Sequence, residues 1–551
     1  MSTPPASTNP NGPSRPSRTN HPTSAQHQAQ HCGQHRTGGT ILVVGAGPTG
    51  LGAGYRLREL GYADYSIVEA SDSVGGLARS LTDEAGFTWD IGGHVLFSHY
   101  DTYDRIFDEL VGDDYTLNNR ESWVRLADAW VPYPFQNNLR YLPEPIADEC
   151  LRGLIEAQST GEPPSTAPHF GAFIDRVFGA GIADRFMNPY NFKVWAYEPG
   201  KLNTAWIGER VAVIDWKRAL TNVVTGRDDF GWGPNNRFKY PLGGTGDFYR
   251  RFEPLLADHL RLGTRLVSID TDAKRATFED RAGQRTTESY ESLISTIPVD
   301  RLVTEIIDAA PEGVREAAGR LLHSGGYMVG IGIERPCPST RSWMYFPEGD
   351  CPFYRVTYLS NYSPRMTPDP DRFYSLLCET SFSPDKPEDE STIIERTIAG
   401  LESTGLLEPG ERDDIVSTWL HKVEYSYPTP SVERDEILSV VIPWLESVGI
   451  YSRGRFGLWK YEVSNTDHSV MQGVEAVDRL VLGAEERTTG LVYRVTDDGR
   501  RAADHERPGT AGSGEKRLKP QPSAGPRPVA DTGDAPEASL SEEELGVTDR
   551  R

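Results

Sequence analysis

The chain has 551 residues, of which 37% are apolar and 25% charged, and carries a net charge of −23 at pH 7. That length allows two or three domains with sizeable cores. The acid excess argues against a nucleic-acid groove or an anionic membrane patch as the main partner, so any phosphate group must be met by local arginines rather than by an overall field. Five scattered cysteines, Cys32, Cys150, Cys337, Cys351 and Cys378, show no CxxC spacing and predict neither a disulfide framework nor a zinc or other metal site. No apolar run is long enough to span a membrane and no signal peptide is seen, so the expected compartment is the cytoplasm.

Residues 1–38, rich in Ser, Thr, Pro, Gln and His, read as a disordered tail, with His21, His27, His31 and His35 as part of it. Residues 39–136 open with TILVVGAGPTGLGAGYRLRELGYADYSIVE, the pattern of a dinucleotide-binding βαβ unit. Ile41–Val44 reads as a strand buried on both faces. Gly45 allows the tight turn, Gly47 lets backbone approach a pyrophosphate, and Gly50 lets the helix pack close to the strand. Pro48 suits the first helical turn, whose free N–H groups attract a diphosphate. Glu69 falls where a carboxylate can accept hydrogen bonds from a ribose. The next stretch, with Gly75, Gly76, Leu77, Ala78 and Arg79, and the later pair Gly92–Gly93 in WDIGGHVLF, point to a flavin rather than a nicotinamide as the resident group.

Residues 137–236 show helical apolar spacing over Leu139–Ala157, Phe170–Phe186 and Leu202–Val224, broken by a Pro/Ser/Thr-rich loop at Ala157–Pro168. They are read as a helical domain for substrate binding and oligomerisation. Residues 237–453 read as an antiparallel sheet domain interleaved with strands of the first domain over about 263–300. Gly263–Asp270 and Ser292–Thr296 are strand candidates, and Val267 is expected to bond the adenine of the cofactor. Residues 326–333 and 373–381 carry β character and are expected to pair over the flavin. Residues 454–485 close the cofactor domain through a helix at Ser469–Val481, with Ser469 facing the cofactor; residues 502–551 read as a second disordered tail. The fold class expected is α/β: a Rossmann-like FAD-binding domain with an inserted helical domain and an antiparallel β-sheet domain.

Five aromatic clusters carry Arg, Tyr, Asn or Gln beside the rings: WVPYPFQNN, FMNPYNFKVW, WMYFPEGDCPFYR, YSYPTP and GRFGLWKYEVSN. Aromatic faces stack on a base, phenols bond phosphate oxygens, and arginine grips a diphosphate with parallel hydrogen bonds. Together they suggest a nucleotide-shaped cleft.

With GGHVLFSHY, AWIGERV, GWGPN, SNYSP and SRGRFG, these motifs make the chain resemble the eukaryotic-type UDP-galactopyranose mutases, within the flavin amine oxidase-like superfamily, from about residue 39 to about 485. The resemblance implies an FAD-dependent isomerase of galactofuranose biosynthesis that interconverts UDP-galactopyranose and UDP-galactofuranose through an adduct between N5 of reduced flavin and the sugar. It implies that Arg210 and Arg355 clamp the substrate diphosphate, and that Tyr345, Tyr362, Tyr427 and Tyr461 surround it. Tyr133, Phe135, Gln136, Phe186, Asn191 and Trp195 resemble the uridine wall, and Asn235 a residue near the sugar. His94 resembles a histidine whose loop follows the flavin redox state, and His99 is kept as well. Arg455 and Asn465 resemble flavin- and substrate-facing positions, whereas Thr466 replaces the glutamine that the family pattern carries next. Arg120 and Ser122 resemble residues that help bind NADPH or NADH as the external reductant. Partners implied are a UDP-galactose sugar nucleotide and a second copy of the chain through the helical domain, with no nucleic acid and no membrane span. An oxidoreductase of the amine oxidase or desaturase class, a mutase of another UDP-sugar, and a flavoprotein that only binds a sugar nucleotide remain alternatives.

Overall fold

In the computed structural model, the protein is described over residues 39–230, 236–491, 493–495 and 501–503. The strand Ile41–Val44 lies at the middle of a five-stranded parallel sheet in the order 450–452, 292–295, 41–44, 65–68, 260–261. Its four residues are all buried, as a strand covered on both faces requires. The helix Pro48–Glu59 follows at once, with Pro48 at its start and no side chain capping its N-terminus. A Cβ on Gly50 would sit 1.8 Å from the Gly45 carbonyl oxygen, so only glycine lets the helix leave the strand this closely.

The helix Thr466–Val477 packs across this first helix. A Cβ on Gly473 would lie 1.9 Å from the Thr49 carbonyl oxygen. That contact brings residues 465–469, distant in sequence, beside the uncapped turn at 45–49. The helix begins three residues earlier than its apolar spacing predicts, with Asn465 at its cap, and passes into a wider turn at Asp478–Leu482.

A second, seven-stranded sheet has the order 415–428, 323–333, 374–382, 355–358, 343–345, 122–126, 129–132. It is antiparallel except where Trp343–Tyr345 runs parallel to Ser122–Leu126. The segments 326–333 and 373–381 are thus neighbours, as their β character implies. Gly263–Asp270 belongs instead to a three-stranded antiparallel sheet as Thr264–Asp270. The helices Glu144–Thr160 and Phe170–Ile182 pack around Leu154, Phe173, Val177 and Phe178, and that core continues to Trp195 and Trp206.

Two sequence expectations are corrected. Within Leu202–Val224 only the part from Trp216 onward is regular helix, running Trp216–Thr225. The preceding stretch is drawn out because Leu202 bridges to Ser431, and the Asn203 N–H donates to the Pro430 carbonyl at 2.8 Å. Backbone pairing to another segment overrides apolar periodicity there. The expected C-terminal tail also starts too early: Arg501–Ala503 pairs antiparallel with Tyr493–Val495. The rest of both expected tails, and Asn235, lie outside the described residues. The described cysteines, Cys150, Cys337, Cys351 and Cys378, are free thiols. Among the described residues no helix is long and apolar enough to cross a membrane.

The Gly473 contact gives a direct test. Gly473→Ala should cost about 1–3 kcal/mol through overpacking, seen as a lower thermal midpoint, although alanine has the better helix propensity.

Candidate functional site

One cavity of about 960 Å³ runs between the parallel sheet, the helical segment and the seven-stranded sheet. At the sheet end its wall is made by Gly45, Gly47, Thr49, Glu69, Gly76, Leu77 and Ala78, with Thr264, Arg265 and Leu266 nearby. The uncapped helix start at 47–49 turns its N–H groups and positive dipole end into this space. The Glu69 carboxylate accepts from the Ala46 N–H at 2.7 Å and from the Ser71 N–H and hydroxyl at 2.8 and 2.6 Å. These bonds fix its orientation at the end of the second strand.

Gly92, Gly93 and His94 form the next part of the wall. His94 Nε2 lies 3.1 Å from the Leu77 carbonyl and 3.0 Å from that of Ile91, so this nitrogen carries the proton. Burial pushes the imidazole pKa down, outweighing the carboxylates of Asp90 and Glu379, so His94 is neutral near pH 7.

Arg210, Arg355 and Arg455 face the cavity from three different segments. Arg210 Nη2 donates to the Tyr461 carbonyl at 2.8 Å and to Asn465 Oδ1 at 2.9 Å, and its guanidinium lies 4.5 Å from the Tyr461 ring centre. Arg355 is held through Nε and Nη2 by both oxygens of Glu379, at 2.6 and 2.8 Å. The guanidinium pKa is raised well above normal: burial opposes this, but the Glu379 charge prevails. Arg455 bonds only neutral oxygens of Ser426 and Ser464, and it stacks against Tyr427 and Tyr461. Burial lowers its pKa. A half-buried guanidinium surrounded by neutral oxygens and rings calls for an anionic ligand.

The helical wall is aromatic. A turn of π-helix at Ala183–Met187 rotates Phe186 and Met187 into the cavity ahead of the helix Asn188–Trp195, which adds Tyr190, Asn191 and Trp195. Phe135, Phe186 and Tyr190 stack in sequence, with ring centres 4.7 and 5.4 Å apart. Gln136 donates its amide to the Ala212 carbonyl, leaving Oε1 buried without a hydrogen-bond donor. Tyr133, Tyr345, Tyr427 and Tyr461 complete the wall, and Arg120 lies over the Tyr133 ring at 5.6 Å.

Most of the residues singled out in the sequence therefore meet in this one space, but not all. Phe135 is behind the wall, supporting Phe186. Tyr362 is in the core, packed on Phe238 and Tyr240 with centroids 5.1 and 5.0 Å away. Gly50, inside the first helix, and Gly75, in a left-handed turn, do not line the cavity, and Arg79 lies off it. Val267 sits at a bulge between Leu266 and Ser268, one residue beyond the lining. Ser122 offers its carbonyl to the Tyr133 N–H within the sheet.

The sequence reading passed over Tyr190, Trp206, Trp343, Tyr354, Glu379 and His468, which also line the cavity. Glu379 did leave a signal: it is the one charged residue in the strand-like run YSLLCETSF, and a charge on a buried strand needs a partner. His468 and His99 share the buried carboxylate of Asp467, their Nδ1 atoms lying 3.1 and 2.7 Å from its two oxygens. Nothing in the spacing from 99 to 467 announces that pair.

A family model described as flavin containing amine oxidoreductase matches residues 48–505. A solved structure of a reduced UDP-galactopyranose mutase is 44% identical, with 82% of this chain and 96% of that one covered and a TM-score of 0.77. The chain belongs to the flavin containing amine oxidoreductase family, in its UDP-galactopyranose mutase branch. Outside that branch the likeness is one of fold. A CLA-producing fatty acid isomerase from P. acnes shares 18% identity over 80% of this chain and 98% of its own, with a TM-score of 0.54. Amine oxidase [flavin-containing] A from Bos taurus is 23% identical over 47% of this chain, a match spanning about half of the bovine protein (49%).

The Asp467 carboxyl is held well below the usual range: burial would raise it, but His468 and His99 outweigh that. Its stabilising contribution is therefore complete above the unfolded-state carboxylate pKa and is lost as pH falls below it. Asp467→Asn should cost about 1.5–3 kcal/mol at pH 7, and the gap in thermal midpoint to the parent should narrow as pH falls through the carboxylate range.

Proposed function

We propose that the protein interconverts UDP-galactopyranose and UDP-galactofuranose as an FAD-dependent isomerase without net redox change. The observation that carries this is the convergence of Arg210 and Arg355, through interleaved tyrosines, on a cavity whose far end is an uncapped dinucleotide-type helix turn. The residues fit FAD. The 45–49 turn would hold its diphosphate and Glu69 its ribose, while Gly76–Ala78, Gly92–His94, Arg455, Asn465 and Ser469 would surround the remainder. Bound and reduced, FAD supplies the nucleophile for the anomeric carbon, so the protein itself needs none.

The chain's own groups do the rest. Arg355 has five N–H donors, two of them taken by Glu379, which leaves three for phosphate oxygens. Arg210 approaches from the helical side. The two guanidiniums stabilise the negative charge that builds on the diphosphate as its bond to the sugar breaks, and they retain the nucleotide for the return step. Tyr345, Tyr427 and Tyr461 offer phenols along the same path. Phe186 and Tyr190 give a face for the uracil ring, and Gln136 Oε1, buried without a donor, suits its imide N–H. The aromatic wall excludes water, which would otherwise intercept an activated sugar.

Finer assignments belong to the same reading. The sugar is galactose and the reductant NADPH or NADH, a reading supported by Arg120, which lies over the Tyr133 ring in the shared cavity and would meet a nicotinamide nucleotide there. The helical segment, which exposes Val224 and Phe230, is the face for a second copy. The compartment is the cytoplasm. An oxidase of the amine oxidase class would leave the arginine and tyrosine wall without a task.

Dithionite-reduced protein incubated with UDP-galactofuranose should yield UDP-galactopyranose on anion-exchange chromatography, and the oxidised protein should yield none. Arg355→Ala should lower turnover by about 10²-fold or more while the visible flavin absorbance persists. Turnover near the parent's would remove the diphosphate clamp. Tyr427→Phe should weaken UDP binding by about 3- to 10-fold, whereas Tyr362→Phe should leave it unchanged, as titration by flavin fluorescence would show.

A further inference from the structure

Glu379 stands at a junction. It is 2% exposed, on the strand Tyr374–Phe382, directly across from Arg355 in the sheet register. Its Oε1 accepts from Arg355 Nε at 2.6 Å and from the Gly93 backbone N–H at 3.1 Å. Its Oε2 accepts from Arg355 Nη2 and from the Tyr354 hydroxyl, both at 2.8 Å. Tyr354 in turn reaches the Tyr427 hydroxyl at 3.2 Å. One carboxylate thus ties a guanidinium and two tyrosines on the nucleotide side to the glycine pair preceding His94. Space around the junction is tight: a Cβ on Gly93 would lie 2.8 Å from Thr357 Oγ1 and 3.3 Å from Glu379 Oε1.

We propose that Glu379 is a positioning residue that couples the 92–94 backbone to the Arg355 clamp, so that the redox state of the cofactor and the affinity for the UDP moiety depend on each other. The proposal rests on the mutase reading above. A flavin that takes up two electrons and a proton changes the hydrogen bonds it asks of the backbone lining its cavity. A shift of Gly93 alters one of the bonds on Glu379 Oε1. The same oxygen holds Arg355 Nε, so the orientation of the three remaining Arg355 donors changes with it. By reciprocity, a diphosphate that pulls on Arg355 biases the glycine pair and hence the flavin potential. Coulombic attraction to Arg355 and the bonds from Tyr354 and Gly93 overcome burial and keep Glu379 below its ordinary pKa, so it stays ionised at neutral pH.

The test uses holoenzyme and UDP. Kd for UDP is measured on oxidised and dithionite-reduced protein, and the flavin midpoint potential is measured with and without saturating UDP. In the parent the two Kd values should differ, and the potential should move by the corresponding amount. Glu379→Gln keeps the shape and one acceptor but loses the charged fork, and the ratio of the two Kd values should shrink by about fivefold or more, with the UDP-dependent potential shift lost in step. Glu379→Asp keeps the charge but is one methylene too short to serve both partners, and should lose the coupling too; it carries the same reading if the glutamine variant does not retain FAD. An unchanged ratio in a variant with full FAD content would overturn the proposal, as would equal Kd values in the parent. Chromatography of the sugar-nucleotide product from the reduced parent separates this failure from failure of the mutase reading, because isomerisation does not require the two Kd values to differ.

Discussion

Keeping guanidiniums charged inside a cavity walled by aromatic rings is the constraint around which this protein is arranged. Water normally stabilises that charge, and the cavity removes much of it. Each arginine is compensated in a different way. Arg355 is given a buried carboxylate, Arg210 a carbonyl, an amide oxygen and an aromatic face, and Arg455 only neutral oxygens and rings. The site therefore holds more positive charge than its own acids balance there, and under the proposed function a nucleoside diphosphate would supply the missing negative charge.

That constraint explains several features of the surrounding fold. The turn carrying Tyr461, which props Arg210, is braced by a buried bidentate pair between Arg434 and Glu462, at 2.8 and 2.9 Å. The π-turn at Ala183–Met187 costs regular helix hydrogen bonding but turns Phe186 into the cavity. The helix Thr466–Val477 is pressed against the first helix through glycine contacts, so the cofactor end and the Arg210 end share one rigid support. Chemistry in the cavity relies on fixed positions more than on any single reactive side chain, which suits a reaction whose nucleophile belongs to the cofactor.

Much of this was legible in local sequence. The strand, turn and helix over 41–59 follow from short-range steric rules that no distant contact alters, and the structure places them as the glycine and apolar pattern indicates. The aromatic clusters with their arginines could be recognised because each is contiguous. Periodicity misled at Leu202–Val224, where pairing to residues 430–432 pulls the chain out of helix. It also gave no means of telling Tyr345, on the cavity wall, from Tyr362, in the core behind it. Both follow aromatic or polar motifs of similar composition, and their fates depend on which strand lies beside them.

The sequence by itself determined the kind of cofactor, the α/β class and the supply of arginines and tyrosines, because glycine spacing and residue chemistry act within a few residues along the chain. Only the tertiary structure decided which of those groups meet. The pairing of Glu379 with Arg355 and Gly93, and of Asp467 with His99 and His468, joins positions separated by up to 368 residues. Burial and a shared low-dielectric space create those partnerships, and neither exists until the sheets have closed around the cavity.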